Sequence, residues 1–500
     1  MALTAWQKWL DRAFGIDLRA LATFRIGVGL LLLYDLIDRA RFLEAHYTDF
    51  GALPRVDLVG NLWHPAYWSL HVLSGDSVWQ AVLFVLAGVA AIVLTIGWHT
   101  RIAGWVSWLL LLSLHARNPI LLQGGDVLLR VLMFWALWLP WGAVASLDAR
   151  RVPQRAPQRV VSVASFALLW QLALMYIFSG FMKSGPAWVS EGSAVFYALS
   201  IDAMRTAWGE RLLAHRDWCQ AMTFAALYLE RFGPLLAFVP WRTNLWRWVT
   251  VIAFWGLHLG LIATMRIGHF PYLCILAWVL YLPSSCWDVL SRIAVGWNRH
   301  GQVPCTSDER PPVDNRLGWT NRVLNHALVW LFVLVGIWNV RIVWPGLKSL
   351  ERLKPLDPVL IVPRLDQSWG MFAPYTLTED GWWVMVGTLD DGRQVNLWNP
   401  AEPVSDDKPD LRAAYVDERW RKYFMNLWQL EFSAAREPFS EWLVRRWNRD
   451  QAAAAGSECH HVEMYFWIER TALGEPDPWE KLLVLKQDVP EKPIPASSPD

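Results

Sequence analysis

Long apolar runs separated by short polar or basic segments occupy most of the first 345 residues. A helix needs about 20 mostly apolar residues to cross a bilayer. The pattern therefore predicts about nine membrane-spanning helices, of which the third and the eighth are short. The predicted spans lie near 20–38, 77–97, 102–117, 125–142, 160–182, 219–239, 247–265, 270–284 and 323–344.

Basic residues recur in alternate loops between these spans. The first 19 residues lack a short apolar core with a cleavage site, so they read as an amphipathic surface helix. The positive-inside rule then predicts a multi-pass protein of the cell (inner) membrane with a cytoplasmic N-terminus. The residues after Trp344 are expected on the extracytoplasmic side. The basic residues that set this orientation are Lys8, Arg12, Arg19, Arg101, Arg150, Arg151, Arg155, Arg159, Arg242, Arg247, Arg292, Arg299, Arg310, Arg316 and Arg322.

The pattern beyond residue 345 is that of a water-soluble α+β region. Two strand-like runs, Trp382–Leu389 and Arg393–Trp398, flank Asp390-Asp391-Gly392, and Asp-Gly in that place is a strong hairpin signal. Further predicted elements are a helical region over 411–451 and strands over His461–Thr471 and Lys481–Lys486.

The expected fold is an α-helical polytopic membrane protein with a C-terminal extracytoplasmic α+β domain. The expected divisions are an amphipathic segment at 1–19, a transmembrane domain at 20–345, the α+β domain at 346–488, and a Pro-rich, polar, disordered tail at 489–500.

Composition supports a membrane protein and excludes other classes. Of the 500 residues, 54% are hydrophobic, and 36 are tryptophan, which favours the bilayer–water interface. The net charge of +1 and the absence of a basic block predict no nucleic-acid partner. The cysteines show no paired spacing, so neither a disulfide framework nor a metal site is expected.

Lys183 ends one of the most apolar runs, Val160–Met182, which carries no formal charge. An amine in an apolar, partly dry site gives up its charge more readily than in water and can act as a base near neutral pH. The alternative is a lysine whose stem lies along the helix while its head reaches the water.

Other ionisable residues are predicted at a similar depth, at the outward ends of their spans. Asp126 and Arg130 begin the fourth span with the i,i+4 spacing of an ion pair, and Asp35 ends the first span. His258 lies past the middle of the seventh span. Ionisable groups in spans are costly, which favours a functional site. The alternative is a structural hydrogen-bond network, in which His258 is a core histidine.

Several segments resemble the vitamin K-dependent gamma-glutamyl carboxylases and their bacterial relatives, the HTTM-domain proteins. Tyr176–Trp188 looks like the segment of the family's catalytic lysine, and Lys183 is the matching position. The other similar segments are Leu21–Arg25 with Leu33–Asp35, His258 with Ile267–Phe270, and, more weakly, Gln367–Met371, Asp391–Arg393 and Asn399–Pro400. The resemblance covers about residues 18–490.

In that family a reduced quinone and oxygen yield a strong base, the lysine initiates the reaction, and carbon dioxide adds to a glutamate side chain. The resemblance implies a vitamin K or menaquinol type of quinol from the lipid bilayer, with O2 and CO2 as co-substrates. It also implies a peptide or small acidic substrate on the outer face. The resemblance implies that Lys183 is catalytic, and together with the polar cluster it leads us to expect Lys183, Asp126 and His258 as the catalytic residues. The expected quinone- and substrate-binding residues are Arg130, Arg266, His269, Trp369 and Arg393.

One position departs from the family. The carboxylases have a histidine near the start of the fourth span, where this chain has Gly125 followed by Asp126. The chain also shows no obvious counterpart of the propeptide-binding region of the animal enzymes. A non-catalytic folding factor, scaffold or lipid-binding protein on the same fold is therefore the alternative function. A transporter is less favoured because no internal repeat is visible.

Overall fold

The computed structural model describes residues 5–151, 159–297, 319–473 and 478–489. The longer helices, numbered here in chain order, are α1 (Ala5–Phe14), α2 (Leu18–Ala40), α3 (Ser77–Ile96), α4 (Thr100–Arg117), α5 (Gly124–Ala136), α6 (Val163–Met182), α7 (Arg216–Leu236), α8 (Thr243–Thr264), α9 (Phe270–Trp278), α10 (Ser284–Trp297), α11 (Trp319–Val343), α12 (Glu418–Trp428) and α13 (Arg436–Asp450).

Shorter helical pieces connect these elements. The short α-helices are Leu43–Tyr47, Arg55–Asp57, Leu147–Arg151, Pro186–Val189, Ala194–Ser200, Ala207–Leu213, Lys348–Glu351, Asp357–Ile361, Leu411–Ala414 and Ala452–Ala455. The 3₁₀ turns are Pro119–Leu121, Val279–Tyr281, Lys354–Leu356 and Leu430–Ala435, and Leu58–Leu62 is a π-helical turn. The strands are β1 (Ile16–Asp17), β2 (Arg159–Val160), β3 (Glu379–Leu389), β4 (Gln394–Asn396), β5 (Cys459–Arg470) and β6 (Glu480–Asp488).

Several helices have the length and composition of membrane spans. Among the described residues, five helices qualify, namely α2, α3, α6, α8 and the Arg322–Val343 part of α11. A sixth candidate is the pair Phe270–Tyr281 and Ser284–Ile293, which bends by 98°. Pro283 lies at this bend, where a proline interrupts helical hydrogen bonding. The protein is therefore a membrane protein.

The other predicted spans are helical but shorter or more polar than expected. Helix α5 has only 13 residues and ends at Ala136, just ahead of Pro140. Helix α7 carries Glu230 and Arg231 side by side and includes Pro234. The short length of α5, and the charged pair and proline of α7, explain why neither helix has the length and apolar composition of a membrane span.

The predicted strands of the C-terminal region are confirmed. They form one antiparallel sheet in the order β4-β3-β5-β6. The β3–β4 hairpin turns at Asp390–Gly392, where Gly392 has a φ of +83°, a conformation that glycine adopts readily. A second, two-stranded sheet pairs Ile16 with Val160 and joins the N-terminal segment to the start of α6.

Packing continues from the membrane helices into the C-terminal region without a break. Leu360, Leu365 and Trp369 belong to the hydrophobic core of the helix bundle. A second core combines Tyr47 and Leu114 with residues of α12 and α13. The two regions thus share buried surface, although the sequence predicts a division at 345/346. The expected disordered tail at 489–500 lies outside the described residues, apart from residue 489.

Candidate functional site

Lys183 lies at the point where α6 ends. The helix begins with a reciprocal cap, in which Ser162 and Ser165 each accept a backbone N–H from the other. It ends because Lys183 leaves the helical conformation, with a ψ of 75°, and Pro186 follows. The local sequence therefore fixes the lysine at the rim of an apolar helix.

The Lys183 side chain points inward and is only 4% exposed. Its amine donates to Ser179 Oγ over 3.0 Å and forms a short ion pair with the Glu230 carboxylate of α7. It also lies 4.9 Å from the centre of the Trp188 ring, which is a cation–π distance. The amine does not reach the water. The alternative in which the lysine stem lies along the helix and its head extends into water is therefore wrong.

The contact between α6 and α7 holds this pair in place. The Arg231 guanidinium donates to the Gly180 and Lys183 carbonyls over 2.8 Å each. A Cβ on Gly180 would lie 2.9 Å from the backbone nitrogen of Arg231, so only glycine allows the two helices to approach this closely. Sequence reasoning missed Glu230, although a lone acid within the predicted 219–239 span was a signal for it.

Lys183 and Glu230 are the charged residues in the lining of an apolar cavity of about 360 Å³, and we call the part of the cavity where they lie its polar end. The cavity lies between α6, α7, α8 and the short helix Ala194–Ser200. Apart from Lys183, Glu230 and Thr264, the residues that line it are apolar. We call this the lysine cavity.

His258 lies beside the lysine cavity and does not line it. Its Nε2 is 2.5 Å from the Tyr176 hydroxyl, which also accepts from the Trp278 indole over 3.2 Å. The imidazole is buried and packs edge-on against Phe270, a residue of the cavity wall. Among the described residues, His258 Nδ1 has no hydrogen-bond partner.

A second buried group, the carboxylate cluster, consists of Asp35, Arg39, Asp126 and Arg419. The Arg39 guanidinium donates to Asp35 over 2.8 Å and to Asp126 over 2.7 Å. The Arg419 guanidinium, from α12, donates to Asp126 over 2.7 Å and forms a short ion pair with Asp35. Two carboxylates and two guanidiniums thus balance in charge, with side chains no more than 3% exposed.

Burial and the charges of this cluster shift the pKa values of Arg419 and of the neighbouring His46, which both lie outside the membrane helices. Burial acts to lower the pKa of Arg419, but the charges of Asp126 and Asp35 outweigh it and hold that pKa well above its ordinary value. Burial lowers the pKa of nearby His46 to about 3, and the Arg39 and Arg419 charges add to this effect. His46 is therefore neutral at physiological pH.

The expected Asp126–Arg130 pair does not form. Asp126 accepts the Gln123 backbone N–H over 2.8 Å, which directs its carboxylate toward the start of α5 and the carboxylate cluster. Arg130, one turn further on, donates to the Arg364 and Asp366 carbonyls and pairs with the Asp366 carboxylate at 3.2 Å. Each residue thus has a nearer partner, and the i,i+4 spacing was misleading.

The carboxylate cluster has the donor types of a metal site. Oxygen or nitrogen atoms of Asp35, His115 and Asp126 lie within 4.8 Å of one another. Every carboxylate oxygen of both aspartates already accepts a hydrogen bond from an arginine. A cation there would have to displace the arginines, so the donor set fits an ion-pair network better than a metal.

The remaining predicted residues are dispersed around the two groups. His269 is buried, with Nε2 3.9 Å from Asp126 Oδ1. A Cβ on Gly125 would lie 2.8 Å from that same nitrogen, so the His269 ring fills the space beside Gly125. Arg266 is exposed and lines a separate cavity of about 310 Å³.

Neither Trp369 nor Arg393 lines the lysine cavity. The Trp369 indole is buried in the bundle core and donates to Gln367 over 2.9 Å. Arg393 lies at the exposed β3–β4 turn, where it donates to Asp391 over 2.7 Å. The structure therefore does not bring either side chain to Lys183.

The fold and the two buried groups define a membrane protein whose apolar helix bundle contains two clusters of buried ionisable residues. The chain matches the HTTM domain over residues 15–287, more than half of its length, and it belongs to the HTTM-domain family. This confirms the family resemblance drawn from the sequence. No curated protein matches the chain, and no solved structure does.

Proposed function

We propose that this protein is a carboxylase-like membrane enzyme, in which Lys183 initiates a quinol- and oxygen-dependent carboxylation or a related proton abstraction. The observation that carries the proposal is the buried Lys183–Glu230 pair at the polar end of an apolar cavity. A buried amine that shares a cavity with a titratable partner is the arrangement expected of a catalytic base.

The cavity fits a quinol in size and polarity. Its volume of about 360 Å³ is within the range of small-molecule sites, and Trp188, Phe270 and Phe372 offer ring faces or edges in its wall. When bound, a reduced quinone would supply the reducing equivalents that activate oxygen. Lys183 and Glu230 are the residues that would hold its polar end.

Proton uptake by the Lys183 amine leaves no unpaired positive charge in the cavity, because the Glu230 carboxylate lies beside the amine. In the proton-poor form a neutral amine lies beside the carboxylate; after proton uptake, the ammonium is paired with it. The carboxylate thus stabilises the protonated amine, and the apolar wall excludes water that would compete for the proton. His258 and Tyr176 would position the wall at Phe270.

The carboxylate cluster has a different role in this proposal. Because each oxygen of Asp35 and Asp126 is already bonded to arginine, we assign the cluster to docking of α12 on the membrane helices. A nine-span topology with the lysine cavity on the extracytoplasmic side remains part of the proposal, supported by the distribution of basic residues.

The test is oxygen consumption by the purified protein with a reduced menaquinone, with and without CO2 and glutamyl peptides. We expect quinol-dependent uptake that Lys183→Ala abolishes and Glu230→Gln reduces. Lys408→Ala, which removes a lysine paired with Asp202 and Glu469 outside the cavity, is the matched control. Uptake that persists in Lys183→Ala, or no uptake by the native protein, contradicts the proposal.

A second candidate is a non-catalytic lipid-binding protein or folding factor. Its supporting observation is that Lys183 is already bonded to both Ser179 and Glu230, as in a satisfied structural pair. Extraction and mass spectrometry of molecules that copurify with the protein separate the two candidates. A bound quinone favours the enzyme, whereas bound phospholipid alone favours the lipid-binding protein.

A further inference from the structure

Two glycines of α8, Gly256 and Gly260, line the lysine cavity one helical turn apart. An added Cβ at either position would meet no heavy atom of the described residues within 4 Å. Glycine is unfavourable inside a helix, and here no neighbouring backbone requires it. The two glycines therefore leave a groove on α8 that other residues do not fill.

This groove is long and apolar. The cavity-lining stretch of α8 runs from Gly256 to Thr264, a rise of about 12 Å. Leu257 and Leu261 flank the groove, and Leu229 and Ala226 face it from α7. No charged residue lines it apart from the Lys183–Glu230 pair at the polar end of the cavity.

The wall of the cavity includes exposed residues of both α7 and α8, from which we place its opening between these two helices. Gly256 itself is exposed, and so is Met222, the cavity-lining methionine of α7, at 39%. The neighbouring surface is also apolar and exposed, with Leu259 at 58% and Tyr228 at 56%. Helix α8 has the length and composition of a membrane span, and an exposed apolar surface on such a helix is suited to contact with lipid hydrocarbon.

We infer that the Gly256–Gly260 groove binds the hydrocarbon chain of a single-headed amphiphile that enters from the bilayer between α7 and α8. The chain lies along the groove, and the polar head reaches the Lys183–Glu230 pair. The inference rests on the proposed function for the identity of the head group, a quinol, while the chain-binding role of the groove stands on the geometry of α8. A compact head group without a chain would leave the groove empty.

The test uses the full-length protein in phosphatidylcholine nanodiscs. The groove is filled in Gly256→Leu and Gly260→Leu, and the matched controls are Gly88→Leu on α3 and Gly336→Leu on α11. These control glycines also have open space at their Cβ positions but do not line the cavity. The probes are tritiated menaquinone, which carries a prenyl chain, and tritiated menadione, which has the same ring without the chain. Tritiated oleate is a third probe with a different head group.

We expect each groove variant to raise the Kd for menaquinone roughly tenfold, because the leucine displaces about two chain carbons from apolar contact. Menadione binding and the control variants are expected to be unchanged. Loss of oleate binding in the groove variants, with no menaquinone binding by any form, supports the groove but overturns the quinol proposal. The inference is wrong if the native and groove-filled proteins bind every chain-bearing probe equally. It is also wrong if the groove variants lose menadione binding as much as menaquinone binding.

Discussion

Arg419 of α12 donates to Asp126 of α5 over 2.7 Å although 293 residues separate them in the chain. The same guanidinium pairs with Asp35 of α2, so one side chain of the C-terminal region joins two membrane helices. Both aspartates also bond to Arg39. The C-terminal region is thus attached to the membrane helices through the buried carboxylate cluster, in which two carboxylates balance two guanidiniums.

Replacing Arg419 by Met is expected to destabilise the protein strongly, by about 3–5 kcal/mol, because two buried carboxylates would be left with one arginine. The measurement is the free energy of unfolding in detergent, followed with limited proteolysis of the C-terminal region. Arg393→Met is the control, since Arg393 pairs with Asp391 on the exposed hairpin, and no change in the midpoint is expected. Equal stability of the two variants would show that the cluster does not hold α12.

Substitutions at Lys183 and Glu230 are expected to have strongly non-additive effects on the free energy of unfolding. Lys183→Met leaves a buried carboxylate without its cation and should cost about 3 kcal/mol, and Glu230→Gln should also destabilise the protein. The double variant should be more stable than the sum of the single changes implies, because neither charge remains. Thermal unfolding of the four proteins measures this coupling, and additive effects would argue against an ion pair.

Two glycine-to-alanine substitutions should change the free energy of unfolding in opposite directions. A Cβ at Gly125 would lie 2.8 Å from His269 Nε2 and 3.1 Å from the Phe270 backbone nitrogen, so Gly125→Ala should cost about 1–3 kcal/mol. Gly256→Ala meets no neighbour and should stabilise the helix by about 0.5–1 kcal/mol. Unfolding midpoints of both variants test this pair of expectations. Pairing Gly125→Ala with His269→Ala should restore part of the loss, because the ring is the nearest obstacle.

Asp380 should make the stability of the C-terminal sheet depend on pH. Burial raises the pKa of Asp380 to about 6, above the ordinary value of 3.8, although its carboxylate accepts the Asp202 and Gly381 backbone N–H groups. The folded protein therefore binds this proton more tightly than the unfolded chain does. The contribution is fully present below about pH 4 and is lost as the pH rises through about 6.

The measurement is the unfolding midpoint between pH 4 and pH 7 for the native protein and Asp380→Asn. The difference between the two should change in this interval, with the native protein gaining stability relative to the variant as the pH falls. Asp406→Asn is the control, since a hydrogen bond from Lys481 lowers the pKa of Asp406 and places its titration below this interval. A constant difference for Asp380→Asn would contradict the expectation.

The sequence alone determined those features that depend on short-range pattern. Among the described residues, the apolar runs predicted the five helices that have the length and composition of membrane spans, and Asp390–Gly392 predicted the β3–β4 hairpin. The run before Lys183 placed that lysine at a helix end because the helix must stop at Pro186. Hydrophobic periodicity and turn chemistry act over a few residues, so they can be read without knowing the fold.

The tertiary structure decided which ionisable groups meet. Glu230 pairs with Lys183 from 47 residues away, and Arg419 reaches Asp126 only because α12 packs on the bundle. The local spacing of Asp126 and Arg130 pointed to the wrong pair because a buried charge takes the partner that packing supplies. The groove at Gly256 likewise exists only between neighbouring helices. Burial and charge pairing are properties of the packed chain, and no local pattern contains them.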